Sequence, residues 1–359
     1  MSKPYTVMVV GMGKRGGHHA TYFHANPRFD LVGICDIHES LLVEPAKLLG
    51  NPRIGADAGA MAMELKPDLF CFCTLPHIRS EMIQIGLDCG ARMIAFEKPV
   101  ALTSGEGIRV KRLLEGAARV KAVVSHQHRY GKHYQAARDI IASGKIGKVH
   151  TVYGYAQGWA AHMLSHIIDY SMWYNDYAEP VWVMAQAAGK SKFADPKKHE
   201  SPDYVGGFVQ FANGVRGVYE CGGGAPDVPQ VERWWGKNRI GAIGTEGYAE
   251  VYTGNGWKAV TKEGILSGDG CMDYKLDMPG YIQDMADWLD DDARAHPCRF
   301  ANAYAGFEVM MGMLRSAAHG AQVPLPLTRG MNELEILKKA MPETKLLVTL
   351  DESRKEYSV

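Results

Sequence analysis

Over the first third of the chain, short β-branched runs alternate with longer stretches that carry apolar residues at helical spacing. Residues 7–10, 31–35, 69–73, 92–96 and 120–125 read as strands, and 18–25, 41–49, 80–89 and 105–116 as helices between them. Strands that alternate with helices predict a parallel sheet covered on both faces, so residues 1–124 are expected to form a doubly wound α/β domain. Past residue 125 the rhythm changes. Helical patterns at 134–143 and 163–174 enclose a strand at 150–155, and paired β-rich runs follow. Residues 208–212 and 215–221 flank Asn213-Gly214, which suits a type I′ turn, and 248–252 and 257–261 flank Gly254-Asn255-Gly256. Helices are expected at 281–294 and 302–319. Hairpins followed by helices predict an α+β domain over residues 125–359, with a mostly antiparallel, open sheet. No linker, internal repeat or low-complexity segment intervenes.

At 359 residues the chain is long enough for about two domains. Apolar residues make up 46% and charged residues 22%, a composition that builds a buried core and excludes wholesale disorder. Lys plus Arg and Asp plus Glu both number 40, and a neutral balance argues against nucleic-acid or acidic-membrane partners. No apolar run approaches the ~18 residues that span a bilayer, and the N-terminus has no signal-peptide pattern. Seven scattered cysteines fit a reduced, cytoplasmic protein. Cys71 and Cys73, two apart on a strand, read as neighbouring core thiols rather than a redox or zinc pair. The methionines around Met310, Met311 and Met313 read as core, and Asp290-Asp291-Asp292 as a solvated helix end.

Candidate chemistry begins at Gly11-Met12-Gly13-Lys14-Arg15-Gly16, a Gly-x-Gly-x-x-Gly that follows a strand and opens a helix. Glycines there permit a tight turn and close approach to a pyrophosphate at the helix start. Asp36, 20 residues beyond Gly16, ends the second strand, where a carboxylate accepts from the ribose hydroxyls of NAD and repels the extra phosphate of NADP. NAD is therefore expected over NADP, with Lys14 and Arg15 left to the pyrophosphate or solvent.

Glu97-Lys98-Pro99 lies at the C-terminal end of the fourth strand, the edge where open α/β sheets bind ligands. A lysine there can hydrogen-bond a substrate hydroxyl and lower its pKa, and the proline restricts where that lysine points. The alternative is a surface ion pair beside a turn proline. In the second half, His162, His166 and Asp169 fall at i, i+4 and i+7 of one helix and share a face. A histidine suits the proton transfer of alcohol oxidation. Two alternatives are hydrogen-bonded structural histidines and a metal site. The Glu of His-Glu-x-x-His is missing, so no metal is assigned.

These motifs together resemble the Gfo/Idh/MocA family of NAD(P)-dependent oxidoreductases, which act mostly on sugars and cyclic polyols. The resemblance runs over nearly the whole chain. Thr74-Leu75-Pro76-His77 looks like the family's post-strand cofactor loop, and Glu97-Lys98-Pro99 is its most diagnostic short motif. Ser125-His126-Gln127-His128-Arg129-Tyr130 matches the segment that places Gln127 at the nicotinamide side and Arg129 toward substrate. Gly144-Lys145-Ile146-Gly147-Lys148-Val149 and the stretch from Ala317 to Pro326 match the lead into the second sheet and the usual close.

The resemblance implies a Rossmann domain followed by a substrate-binding and oligomerisation domain. It also implies that Lys98 polarises a secondary hydroxyl and that His166 serves as acid/base. Family members commonly carry Asp four residues before that histidine, and here the position is His162, so His162 or Asp169 shares the role. Tyr130, Trp159 and, over the cleft, Trp234 and Trp235 are expected near substrate with Arg129. The expected reaction is NAD-dependent oxidation of a sugar, glycoside or inositol-like ring by a cytoplasmic homodimer or homotetramer. The alternative is redox-neutral glycoside cleavage or epimerisation through a transient keto-sugar, and a third is a non-catalytic NAD-binding regulator.

Overall fold

The computed structural model of the protein describes residues 3–194, 200–342 and 346. In chain order the strands are β1 (Tyr5–Val10), β2 (Phe29–Cys35), β3 (Arg53–Gly55), β4 (Leu69–Phe72), β5 (Met93–Glu97), β6 (Lys121–Ser125), β7 (Val149–Ala156), β8 (Pro180–Ala188), β9 (Tyr204–Phe211), β10 (Arg216–Gly222), β11 (Asn238–Gly244), β12 (Gly247–Tyr252), β13 (Trp257–Thr261), β14 (Gly264–Gly268) and β15 (Val323–Pro324). The helices are α1 (Lys14–Ala25), α2 (Val43–Leu48), α3 (Ala58–Leu65), α4 (Arg79–Asp88), α5 (Ser104–Gly116), α6 (Lys132–Ala142), α7 (Ala160–Tyr174), α8 (Tyr274–Asp290), α9 (Phe300–His319) and α10 (Glu333–Ala340). Two compact units result. One comprises Met1–Leu102, Glu106–Tyr130 and Tyr274–Tyr304, and the other Thr103–Gly105, Gly131–Asp273 and Ala305–Val359.

The first unit holds a parallel six-stranded sheet in the order β3-β2-β1-β4-β5-β6, the strand order of a Rossmann fold. Its central strands read as unbroken apolar runs because both faces are covered: Leu69 to Phe72 and Met93 to Phe96 are all buried. The return of α8 to this unit follows from its apolar stripe. Met278, Tyr281, Ile282, Met285, Ala286 and Leu289 recur at helical spacing and pack into the cluster of Val7, Val9, Ala20 and Phe23. This helix begins seven residues before the expected start, ahead of Pro279. Asp277, buried in its first turn, is held by His128 Nδ1 at 2.8 Å. Gly280 lets the Tyr130 ring approach, since a Cβ would meet that ring at 2.8 Å. The acidic run at its end is exposed, as expected; Asp290 takes Arg28 and the Tyr5 hydroxyl, and Asp292 takes Lys121.

The second unit is a mixed nine-stranded sheet ordered β14-β13-β12-β11-β7-β10-β9-β8-β15, antiparallel except for the β7–β10 pair. Helix α7 lies against β7 through Ile167, where Gly154 clears the way; a Cβ there would sit 2.7 Å from the Ile167 Cβ. The turn at Asn213-Gly214 is not type I′. Only Gly214 has a positive φ, and Phe211 bonds both Gly214 and Val215, the pattern of a type I turn closed by a glycine bulge. Strands β3, β8, β11, β14 and β15 and helices α3 and α10 were not expected. In β11, Gly241 and Gly244 dilute the strand signal, and Gly241 is required because a Cβ would meet the Tyr153 hydroxyl at 2.6 Å. The methionines of α9 are core, as expected. Among the described residues, no helix is long and apolar enough to cross a membrane.

Helix α10 is anchored by a buried ion pair. Glu333, fully buried, accepts from Arg315 Nη2 at 2.7 Å and from the Ser104 backbone at 2.9 Å. Removing the cation strands a buried carboxylate, so Arg315→Met is expected to cost about 3–5 kcal/mol in urea unfolding. A loss under about 1 kcal/mol would show that the pair is not holding the helix.

Candidate active site

In the first unit the chain leaves β1 at Gly11, whose φ of 83° is open to glycine at no steric cost. Gly13 precedes α1, which has neither a side-chain cap nor an acidic residue in its first turn. A Cβ at Gly13 would meet nothing within 4 Å, whereas one at Gly16 would lie 1.8 Å from the Gly11 carbonyl oxygen. The three glycines thus turn the chain, leave the approach open and let the helix touch the loop. What they expose is a helix start ready for an anion. Lys14 is exposed beside it.

Asp36 lies just past the end of β2, with one oxygen accepting from the Met12 amide at 2.7 Å and the other from the His38 amide at 2.9 Å. Each oxygen keeps further lone-pair capacity, which suits a pair of ribose hydroxyls. A 2′-phosphate there would face the carboxylate. The glycine cradle and Asp36 together fit NAD.

Arg15 does not turn to the pyrophosphate. Its guanidinium bonds Glu97 Oε1 at 3.0 Å and lies 4.5 Å from the centre of the Tyr274 ring. Glu97, buried at the end of β5, also takes His19 Nε2 at 3.0 Å. Burial would raise the Glu97 pKa, but Arg15 and His19 hold it far below the usual carboxylate range. Burial opposes charge on His19, and its Cys73 and Glu97 neighbours outweigh that and lift it to about 9. The next residue, Lys98, joins Pro99 through a cis peptide. Burial, with Arg15 and Arg79 nearby, pushes its ammonium down to about 8 against the pull of Glu97. That value suits proton exchange near neutral pH.

Arg79, at the start of α4, carried no sequence signal. It is 1% exposed and donates to the carbonyl of Thr74 at 3.0 Å and of Pro99 at 3.4 Å. One side chain thereby ties the Thr74-Leu75-Pro76-His77 loop to the loop bearing Lys98. Leu75 and His77 of that loop are exposed. Gln127 is buried and accepts from Ser125 Oγ at 2.8 Å. Arg129 and Tyr130 both bond to protein groups. Arg129 donates to the Pro297 carbonyl at 2.8 Å, and the Tyr130 hydroxyl donates to Asp284 at 2.6 Å.

In the second unit, α7 carries His162 and His166 half-buried on one side, while Asp169 is 1% exposed and accepts from the Tyr177 hydroxyl at 3.2 Å. His166 stacks on Tyr170, whose hydroxyl lies 3.4 Å from Nδ1. His162 sits among rings, 5.2 Å from Trp159 and 6.4 Å from Trp234 between centroids. Lys192 Nζ stands 5.3 Å from the Trp159 ring centre. Trp159 and Trp234 thus gather around His162 within this unit. Lys192 was missed, since an isolated lysine in a polar stretch gives no signal.

This combination of a glycine cradle, a ribose-facing carboxylate and a Glu-Lys-Pro edge suits a dinucleotide at the carboxyl end of the sheet. Residues 5–128 match the model of the Gfo/Idh/MocA oxidoreductase family, an oxidoreductase family with an NAD-binding Rossmann fold. A D-glucoside 3-dehydrogenase of Escherichia coli (strain K12) is 26% identical over 152 residues, which cover 42% of this chain and 42% of that protein. Similar folds include an oxidoreductase from Agrobacterium radiobacter solved with NAD+, L-tartaric acid and magnesium. It has a TM-score of 0.75 at 16% identity and matches 90% of this chain and 98% of its own. The myo-inositol 2-dehydrogenase of Lactobacillus plantarum has a TM-score of 0.70 at 16% identity, over 90% and 100% of the two chains.

Asp36→Ala is expected to weaken NAD binding tenfold or more and to shrink the preference over NADP, both measured by calorimetric titration. Unchanged NAD affinity would remove Asp36 from the ribose site.

Proposed function

We propose that the protein is an NAD-dependent dehydrogenase of the cytoplasm that oxidises a secondary hydroxyl of a sugar, glycoside or cyclic polyol. The observation that carries this reading is Lys98: an amine with a pKa near 8, at the carboxyl edge of a dinucleotide-binding sheet, next to the buried Glu97. The partial likeness to a glucoside 3-dehydrogenase supports the substrate class.

The nicotinamide, when bound, supplies the acceptor for the hydrogen leaving the carbinol carbon. Gly11, Met12, Gly13 and Gly16 would receive the pyrophosphate, Asp36 the ribose, and Thr74 to His77 and Gln127 the nicotinamide side. Protonated Lys98 donates to the reacting oxygen and stabilises the negative charge that develops there. His166 takes the hydroxyl proton, with Tyr170 beside Nδ1 orienting the ring. Trp159, Trp234 and the His162 ring offer apolar faces to the C–H faces of a sugar. Arg129, Tyr130 and Asp169, bound to protein groups, act as positioning residues.

Lys98 works as a cation, so its contribution is full below about 8 and lost as the pH rises through that value. The kcat/KM for oxidation should therefore fall on the alkaline side. Lys98→Arg, which stays charged, should lose that descending limb, and Lys98→Met should lower kcat at least 100-fold with NAD affinity kept. An alkaline limb that survives in Lys98→Arg assigns the titration to another group. The assay is anaerobic NADH formation with a panel of glycosides and inositols; product without NADH would instead indicate redox-neutral chemistry.

We further propose a homodimer or homotetramer joined through the open sheet. Met184 and Phe208, directly paired across β8 and β9, are 52% and 56% exposed, and Ile243 lies on the same face. Apolar residues on an uncovered sheet mark an interface. Light scattering at micromolar concentration should give at least twice the chain mass, and Phe208→Lys should lower it; a monomeric wild type refutes the assembly.

A further inference from the structure

We propose that His19, Cys71 and Cys73 form a site for a thiophilic, filled-shell cation, zinc or copper(I), beneath the nucleotide loop. The cysteines alone read as core thiols; α1 adds a third donor from fifty residues away. One imidazole nitrogen and both sulfurs lie within 4.8 Å of one another. Strand pairing sets the cysteines on one side: Cys71 lies within β4, and the Cys73 amide continues the ladder to the Val10 carbonyl at 2.8 Å.

The imidazole is held as metal-bound histidines are held. Nε2 is hydrogen-bonded to Glu97 at 3.0 Å, while Nδ1 is buried with no hydrogen-bond partner. A carboxylate on one nitrogen fixes the tautomer and aims the other lone pair at the ion. Two sulfurs and one nitrogen select soft ions over magnesium or calcium.

The site is joined to the nucleotide loop by contact. A Cβ on Gly11 would lie 3.1 Å from the Cys73 carbonyl, and one on Gly16 would lie 3.6 Å from the Cys73 Cβ. Movement of Cys73 onto an ion is thus felt in the loop, and the two ligands alter each other's affinity reciprocally.

The test titrates reduced, full-length protein with Zn2+, with Cu+ under anaerobic conditions and with Mg2+, against a chromophoric chelator. The exposed Cys271 is replaced by serine throughout to remove adventitious binding. One equivalent of Zn2+ or Cu+ should bind, at least tenfold more weakly in Cys73→Ser and in His19→Gln, and equally in Cys89→Ser. The tighter of the two ions names the occupant. No stoichiometric binding of either ion, or binding indifferent to both substitutions, overturns the site. NAD affinity should change on loading in the parent and stay constant in Cys73→Ser; a constant value in both overturns the coupling.

Discussion

A buried carboxylate at the end of β5 sets the terms for the nucleotide-binding unit. Left unpaired, Glu97 would cost several kcal/mol, so the chain must bring cations to it. Arg15 and His19, both on α1, meet that need and dock the helix that follows the glycine loop onto the strand that leads into Lys98. Stability and site geometry therefore share one cluster. The loop cannot move without disturbing the ion pairs, and the lysine cannot be recharged without regard to them. Arg79 adds a second tie between the loops after β4 and β5, and its charge helps to hold the Lys98 ammonium near 8.

The second unit solves a different problem. Its helices cover one face of a wide sheet, and α7 keeps two histidines partly accessible while Ile167 and Ile168 are buried. His162 stands among tryptophan rings, and Asp169 bonds Tyr177. The histidine helix thus offers ring faces around His162 and, at His166, an imidazole stacked on Tyr170.

Much of this was legible in the sequence, for reasons that can be named. Continuous apolar runs such as Leu69 to Phe72 mark strands buried on both faces, and Gly11, Gly13 and Gly16 mark a turn whose geometry demands them. Strands with a weak period escaped. So did partnerships between distant residues: nothing near Arg129 announces Pro297, nothing near Tyr130 announces Asp284, and nothing near Arg79 announces the carbonyls it joins. Pro279 hid the first turns of α8, because proline inside a helix reads as its end.

The proposed reaction rests on the Lys98 amine acting on the substrate oxygen beside the bound cofactor. A crystal structure of the protein with NAD and a turned-over glycoside or inositol measures this directly. The proposal predicts the Lys98 nitrogen within hydrogen-bond distance of the hydroxyl on the carbon facing nicotinamide C4. A ligand whose reacting oxygen lies out of reach of Lys98 would contradict it.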